Sequence, residues 1–267
     1  MGADIKKLRT RIKSVNSTLH LTKAMGLVAS SKIRKANDAM NRAKSYEKAI
    51  SDIMAQLTSC EECIRSPYMA ERTEGKLKLI VIAGDRGLAG GYNANIFRLM
   101  KDYPDADVTP IGKRACDRYS GDLKYAENFG SADAKKLADA LCSEFAKGMY
   151  SRVGIVCTKY ISMMSQEAQI RWILPLEKTN NTKKTSILFE PDEISVLNAV
   201  IPEYVAGIIA GCVKESFASE VAARRVAMDS AGKNAQEMLD DLGLAYNRAR
   251  QGAITQEITE IVAGSGS

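Results

Sequence analysis

A heptad started at Ile5 and stepped by three and four passes through Ile5, Leu8, Ile12, Val15, Leu19, Thr22, Gly26, Ala29, Ile33, Ala36, Met40, Ala43, Glu47, Ile50, Met54 and Leu57. Only Thr22 and Glu47 on that line are neither apolar nor small. A 3.5-residue period held for about eight heptads, with no proline, calls for a left-handed supercoil; an ordinary surface helix shows a shorter stripe. At 1.5 Å per residue this helix runs to roughly 80 to 90 Å, more than the width of a small domain, so it needs a helical partner. Gly26, Ala29, Ala36 and Ala43 are too small for deep knobs and allow a second helix to come close.

The end of the chain supplies that partner. From Met228 the steps Ala231, Ala235, Met238, Leu242, Ala245 and Ala249 keep the rhythm, and Ile254, Ile258 and Ile261 resume it after a phase slip near Gly252. Gly232, Gly243 and Gly252 each cost the helix up to about 1 kcal/mol relative to alanine. Close backbone packing is the plainer reason for them; a helix that bends or twists under load is the other. Residues 1–52 hold twelve Lys or Arg against four acids, a net of +8, and residues 203–263 hold six against nine, a net of −3. Opposite signs favour pairing of the two helices. A basic helix can also bind nucleic acid, but this one has almost no aromatic residues for stacking and its seam already assigns it a helical partner, so no nucleic-acid partner is expected.

The middle of the chain changes period. Lys78 to Gly84 reads as a buried parallel strand and Asn93 to Tyr103 as a helix. Strand-like runs follow at Asp107 to Ile111, Arg152 to Tyr160, Gln169 to Leu174 and Ser186 to Phe189, with helical stretches at Lys113 to Ser120 and Ala132 to Tyr150. Such alternation predicts a Rossmann-like α/β domain. Ser59 to Gly75 and Glu177 to Lys184 read as polar connectors, and Pro191 and Pro202 as punctuation before the last helix. The expected organisation is an N-terminal coiled-coil helix over 1–58, an α/β domain over 76–192 and a C-terminal coiled-coil helix over 203–263. The fold class is α/β, with the long flanking helices forming an antiparallel left-handed coiled coil.

Chemistry is sparse. The loop Gly84-Asp85-Arg86-Gly87-Leu88-Ala89-Gly90-Gly91-Tyr92-Asn93 stands where a nucleotide-binding loop would, but its glycine spacing is neither of the phosphate-binding patterns, so a tight turn explains it better. Cys60 and Cys63 form one C-x-x-C without a second pair or a histidine cluster, so no zinc site is expected. Six cysteines in 267 residues are too few for a disulfide scaffold and suit a reducing cytosol. His20, the only histidine, reads as a partly buried helix residue. No nucleophile, base and orienting group stand out as a set, so no catalytic residue, cofactor or metal is expected. No run approaches 18 uninterrupted apolar residues and the start has neither signal nor transit composition, so no direct membrane insertion is expected.

The residues carry a resemblance. Ile5 to Ile12, Thr22 to Met25 and Ala29 to Lys32 resemble the first helix of the F-type ATP synthase gamma subunit family. Gly84 to Asn93 is similar to that family's Ser-Asp-Arg-Gly-Leu-Cys-Gly-Gly-Tyr-Asn type loop, with Gly84 for the usual serine and Ala89 for the common cysteine. Ser219 to Met228 and Tyr246 to Gly264 resemble its last helix, and Ile254-Thr255-Gln256-Glu257-Ile258 is the most specific stretch. The resemblance implies a non-catalytic rotor shaft. Its coiled coil would turn inside a ring of alpha and beta subunits, and its α/β domain would stand on the membrane c-ring with the epsilon subunit, at the cytoplasmic face of a bacterial membrane. It implies partner contacts at Met25, Arg250, Gln251 and Gln256. The C-x-x-C lies outside the central insertion that carries the chloroplast form's redox switch, so thiol regulation of that kind is not implied. Two other classes fit the residues less fully: a nucleotide-binding α/β enzyme with helical arms, and a coiled-coil scaffold.

Overall fold

The computed structural model describes residues 2–122, 125–179 and 189–264. Its elements are α1 (Gly2–Leu57), a 3-10 turn (Glu62–Arg65), β1 (Lys76–Ile82), α2 (Tyr92–Leu99), β2 (Asp107–Ile111), α3 (Lys113–Tyr119), α4 (Ser131–Ala146), β3 (Tyr150–Tyr160), β4 (Gln166–Leu174) and α5 (Glu193–Gly264). The chain forms two compact units, Met1–Ser30 with Arg224–Ser267, and Ser31–Ala223. The strand expected at Ser186 to Phe189 falls at 186–188 outside the described residues.

The larger unit is built on a four-stranded sheet of order β2-β1-β3-β4. β1 runs parallel to β2 and β3, and β4 returns antiparallel to β3 after a short turn at 161–165. That turn is too short for a crossover, so only a hairpin is possible there. The apolar run in β1 follows from burial on both faces. Ile80 and Ile82 join Leu141, Phe145, Val153, Ile155, Leu197, Ile201 and Val205 in one core, while Leu79 and Val81 join Tyr92, Ile96, Met100, Ala115 and Val156 in a second. Met54 and Leu57, at the end of α1, belong to the first core.

The last helix begins at Glu193, with Pro202 inside it, rather than at 203. Asp192 starts it: its carboxylate accepts from the Ser195 backbone N–H and from the Ser195 hydroxyl, both at 2.8 Å. Those donors hold its carboxyl below the usual range, the backbone one most of all. An interior proline costs a helix about 3 kcal/mol. Leu197 and Ile201, both fully buried, offset that by fixing the first turns to the core. An 18-residue window within α5 is apolar enough to cross a membrane by composition, but 56% of it is buried in the protein, the mark of a core helix.

In the smaller unit the first part of α1 pairs with the last part of α5. A Cβ added at Gly26 would meet Met228 Cβ at 3.7 Å, and one at Gly232 would meet Thr22 Oγ1 at 3.6 Å. Numbers that rise on one helix as they fall on the other make the pair antiparallel. Every position of the heptad from Ile5 to Leu57 is buried or half-buried, Thr22 and Glu47 included. His20 is exposed, not partly buried, because it lies one residue off that line.

The α5 seam differs from its expected phase. Met228, Gly232, Ala235, Leu239, Leu242, Tyr246, Ala249 and Ala253 are the inward positions, whereas Met238 and Ala245 are exposed. This line holds a steady four-three step with no slip at Gly252. Ile254, Ile258 and Ile261 therefore do not resume the seam; they face solvent. The cause is register. Pairing of 26 with 228 and 22 with 232 brings Gly2 level with about residue 252, so the following turns have no described α1 residue opposite them.

Candidate functional site

The Gly84 to Asn93 loop leaves the carboxyl end of β1, where an open α/β sheet would place a ligand. Backbone N–H groups that converge there already donate to the protein's own side chains. Buried Asp85 accepts from the Lys113 N–H at the start of α3 (3.1 Å), from the Ala126 N–H (2.9 Å) and from the Glu127 N–H (2.9 Å). The Gly84 N–H donates to Asn93 Oδ1 at 2.9 Å, and the space a Cβ would need at Gly84 holds the Glu220 carboxylate, 2.8 to 3.1 Å away. The Tyr92 hydroxyl donates to the Ser216 carbonyl at 3.0 Å inside the core, and burial, helped by the nearby Glu220 charge, pushes its pKa well up. The two carboxylates disfavour a phosphate, and the tyrosine, its hydroxyl already donating inside the core, offers none a donor. The glycines serve backbone geometry instead: Gly90 has φ 56°, and the neighbouring Leu88 adopts φ 61° with its side chain exposed.

The second thiol of the C-x-x-C pair is equally closed. Cys63 is fully buried in the 3-10 turn after α1, and burial first, then the adjacent Cys60, pushes its thiol up to about 12. It keeps its proton at neutral pH and is a poor nucleophile or ligand. Among the described residues no group of three or more His, Cys, Asp or Glu side chains could hold a metal.

The surface available for recognition in the smaller unit lies on its two helices. Met25 is half-buried beside Gly26, whose Cα side is crossed by the Arg225 guanidinium, 3.2 Å from an added Cβ. Leu21, Leu27 and Val28 around it are exposed, Leu27 at 69%. Leu19, Thr22, Lys23, Gly26, Arg225 and Met228 help line a cleft of about 470 Å³ at this level. Small seam residues leave that space open. Arg250, Gln251 and Gln256 are exposed on α5. Gln256 Nε2 donates to Glu260 Oε1 at 2.8 Å, and the Gln251 carbonyl accepts from the Thr255 hydroxyl at 3.0 Å. Arg250 lies about 33 Å along α5 from Met228, at 1.5 Å per residue, so the residues expected to make contacts fall in two separate zones, Met25 in one and Arg250, Gln251 and Gln256 in the other.

The apolar side chains that flank both zones are not among the residues expected from sequence. Leu21, Leu27 and Val28 lie off the α1 heptad, and Ile254, Ile258, Ile261 and Val262 lie off the true α5 seam, with Ile261 70% exposed. An apolar residue off the seam of a coiled coil is the signal that finds them. In the larger unit the β3–β4 turn likewise exposes Ile161, Met163 and Met164, braced by Gln166 Nε2 donating to the Ser162 and Met163 carbonyls.

Known proteins resemble this chain along its whole length. The family model described as ATP synthase matches residues 4–267. The ATP synthase gamma chain of Ruminococcus albus is 40% identical over 98% of this chain and 98% of its own length. A protein of Acetobacterium woodii named ATP synthase gamma chain, sodium ion specific, is 36% identical over 99% of each. In fold, the chain is similar to one in the cryo-EM structure of the Euglena gracilis mitochondrial ATP synthase, with a TM-score of 0.70 at 18% identity, covering 99% of this chain and 94% of that one. With matches that run from end to end at this identity, the chain belongs to the ATP synthase gamma chain family.

Proposed function

We propose that this gamma chain works as a rotor shaft whose paired helices turn within a ring of alpha and beta subunits, and whose α/β domain stands on the membrane c-ring with the epsilon subunit. Its place is then the cytoplasmic face of a bacterial membrane, held there by protein contacts. The observation that carries this reading is the pair of exposed apolar zones on helices whose seams already pair with each other. Leu21, Leu27 and Val28 near Met25, and Ile254, Ile258, Ile261 and Val262 beyond Arg250, are apolar side chains the chain itself leaves in water. Apolar surface kept exposed in this way fits a partner.

Catalysis belongs to the partners. A rotor changes their state only through contacts that differ between states, since a ligand with equal affinity for two states shifts neither. Arg250 suits such a contact: a guanidinium grips a carboxylate through two parallel N–H donors and releases it with no change of protonation. Met25 and its apolar neighbours offer the matching non-polar contact about 33 Å away, so one turn of the shaft moves two separate zones past a partner. The test is reconstitution. The purified chain alone hydrolyses no ATP, and mixed with alpha and beta subunits it completes a cooperative ATPase. Turnover by the chain alone, or no co-assembly with those subunits, overturns the reading.

A further inference from the structure

We propose that α5 contains a flexural joint between Gly243 and Gly252, about which the last turns of the helix bend and twist; this rests on the reading that those turns meet a partner. Packing gives these two glycines no reason to be there. An added Cβ at Gly26 would press on Arg225 at 3.2 Å, whereas at Gly243 and at Gly252 it would meet nothing within 4 Å among the described residues. Neither residue has a positive φ that would require glycine. Each glycine raises the local opening constant of a helix about fivefold over alanine.

Two further observations point to the same stretch. Above it the seam uses Met228, Leu239 and Leu242, but past Tyr246 it uses only Ala249 and Ala253, which bury little apolar area. A segment held by little buried apolar surface opens locally before the rest. Just beyond Gly252, the Thr255 hydroxyl donates to the Gln251 carbonyl at 3.0 Å and the Thr259 hydroxyl to the Thr255 carbonyl at 2.8 Å. Back-bonding of this kind weakens and bends helices. Arg250 and Gln251 lie within the joint and Ile254, Ile258 and Ile261 just past it. Bending there re-aims the contact residues while Met228 to Leu242 remain paired with α1.

Hydrogen exchange on the full chain, compared with a Gly243→Ala/Gly252→Ala variant, tests the joint. In the wild type, residues 243–264 are expected to exchange faster than 228–242, and the double variant to slow them roughly 20- to 30-fold. Equal protection of the two stretches, or no slowing in the variant, overturns the proposal. Assembled with alpha and beta subunits, the double variant is expected to form complexes in full and to turn over more slowly in coupled synthesis. Unchanged turnover also overturns it. If Arg250→Ala has no effect on coupling, the contact reading fails by itself, and the exchange result still decides whether the joint exists.

Discussion

Asp85 is the residue whose replacement most directly tests how the α/β unit holds its loops. Its carboxylate is buried and accepts three backbone N–H groups, from Lys113, Ala126 and Glu127. A hydrogen bond to a charged acceptor contributes about 1.5 to 3 kcal/mol, and a buried donor left alone costs about 1 to 3 kcal/mol. The three do not simply add. Ala126 is buried, whereas Lys113 and Glu127 are exposed enough for water to replace part of the loss. Asp85→Ala is therefore expected to destabilise the unit by about 3 to 5 kcal/mol. Asp85→Asn keeps an oxygen for the Lys113 and Ala126 donors but turns an amide NH2 toward the Glu127 N–H, so its cost is about 1 to 2 kcal/mol. The chain has a single tryptophan, Trp172 on β4, whose ring lies against Gly154 of β3. Its fluorescence in urea follows this unit. With a slope of roughly 1 to 3 kcal/mol/M, the alanine variant should unfold about 2 M earlier and the asparagine variant about a third of that. A midpoint for Asp85→Ala within about 0.3 M of wild type, well inside the shift expected from that slope, would refute the account. So would an asparagine variant as damaged as the alanine one, because the graded loss is what the three-acceptor geometry requires.

Met25→Lys and Arg250→Ala should both assemble with alpha and beta subunits yet synthesise ATP poorly. Adding or removing one charge-assisted hydrogen bond changes a step by about 1.5 to 3 kcal/mol, one to two orders of magnitude in its rate, and wild-type synthesis in both variants, measured with assembly in one membrane preparation, would mean that they only pack. Cys60→Ser/Cys63→Ser should leave coupled synthesis intact and the wild type should bind no stoichiometric zinc, since the Cys63 thiol stays protonated; a thiol-dependent activity change that disappears in the variant would contradict this. Asp107 joins three strands, accepting from Lys78 Nζ at 2.9 Å and from the Tyr150 hydroxyl at 2.5 Å. Burial raises its pKa, but these two donors override it and lower the value. A lowered folded-state pKa gives stability that is present above about pH 4 and lost as the pH falls through the folded value, so Asp107→Asn should flatten the acid limb of stability, read by urea midpoints from pH 6 to pH 3.

How much of the fold can be read from the sequence depends on how many physical signals agree at each element. For β1 they agree: an apolar run bounded by glycine belongs to a strand covered on both faces, and both cores include its residues. For α1 the heptad is long enough that Thr22 and Glu47 do not disturb it. The start of α5 is hidden because Pro202 is a strong local breaker, and only the tertiary burial of Leu197 and Ile201 overrides it. The cap at Asp192 is visible in the sequence, and it is the better guide. The seam of α5 is ambiguous for a different reason. Met238 and Leu239 are adjacent and both apolar, as are Ala253 and Ile254, so a three-four count passes through either member of each pair. The count through Met228 favours 238 and reaches 254 only through a slip, and in both pairs the other residue faces inward.

The same ambiguity explains why the proposed contact surface is legible in the sequence only through resemblance. A helix that pairs along one seam and is gripped along another has two apolar stripes, and a single-stripe count merges them into one stripe with a slip. Separating them needs the register of the partner helix. Once Gly26 is set opposite Met228, the stripe through Ile254, Ile258 and Ile261 is exposed, with nothing opposite it among the described residues. At about 25 cal/mol for each Å² of apolar surface left in water, such a stripe is retained only where something else covers it. On the rotor-shaft reading, the apparent stutter near Gly252 is thus the point where the helix changes partners, from α1 on one side to a second protein on the other.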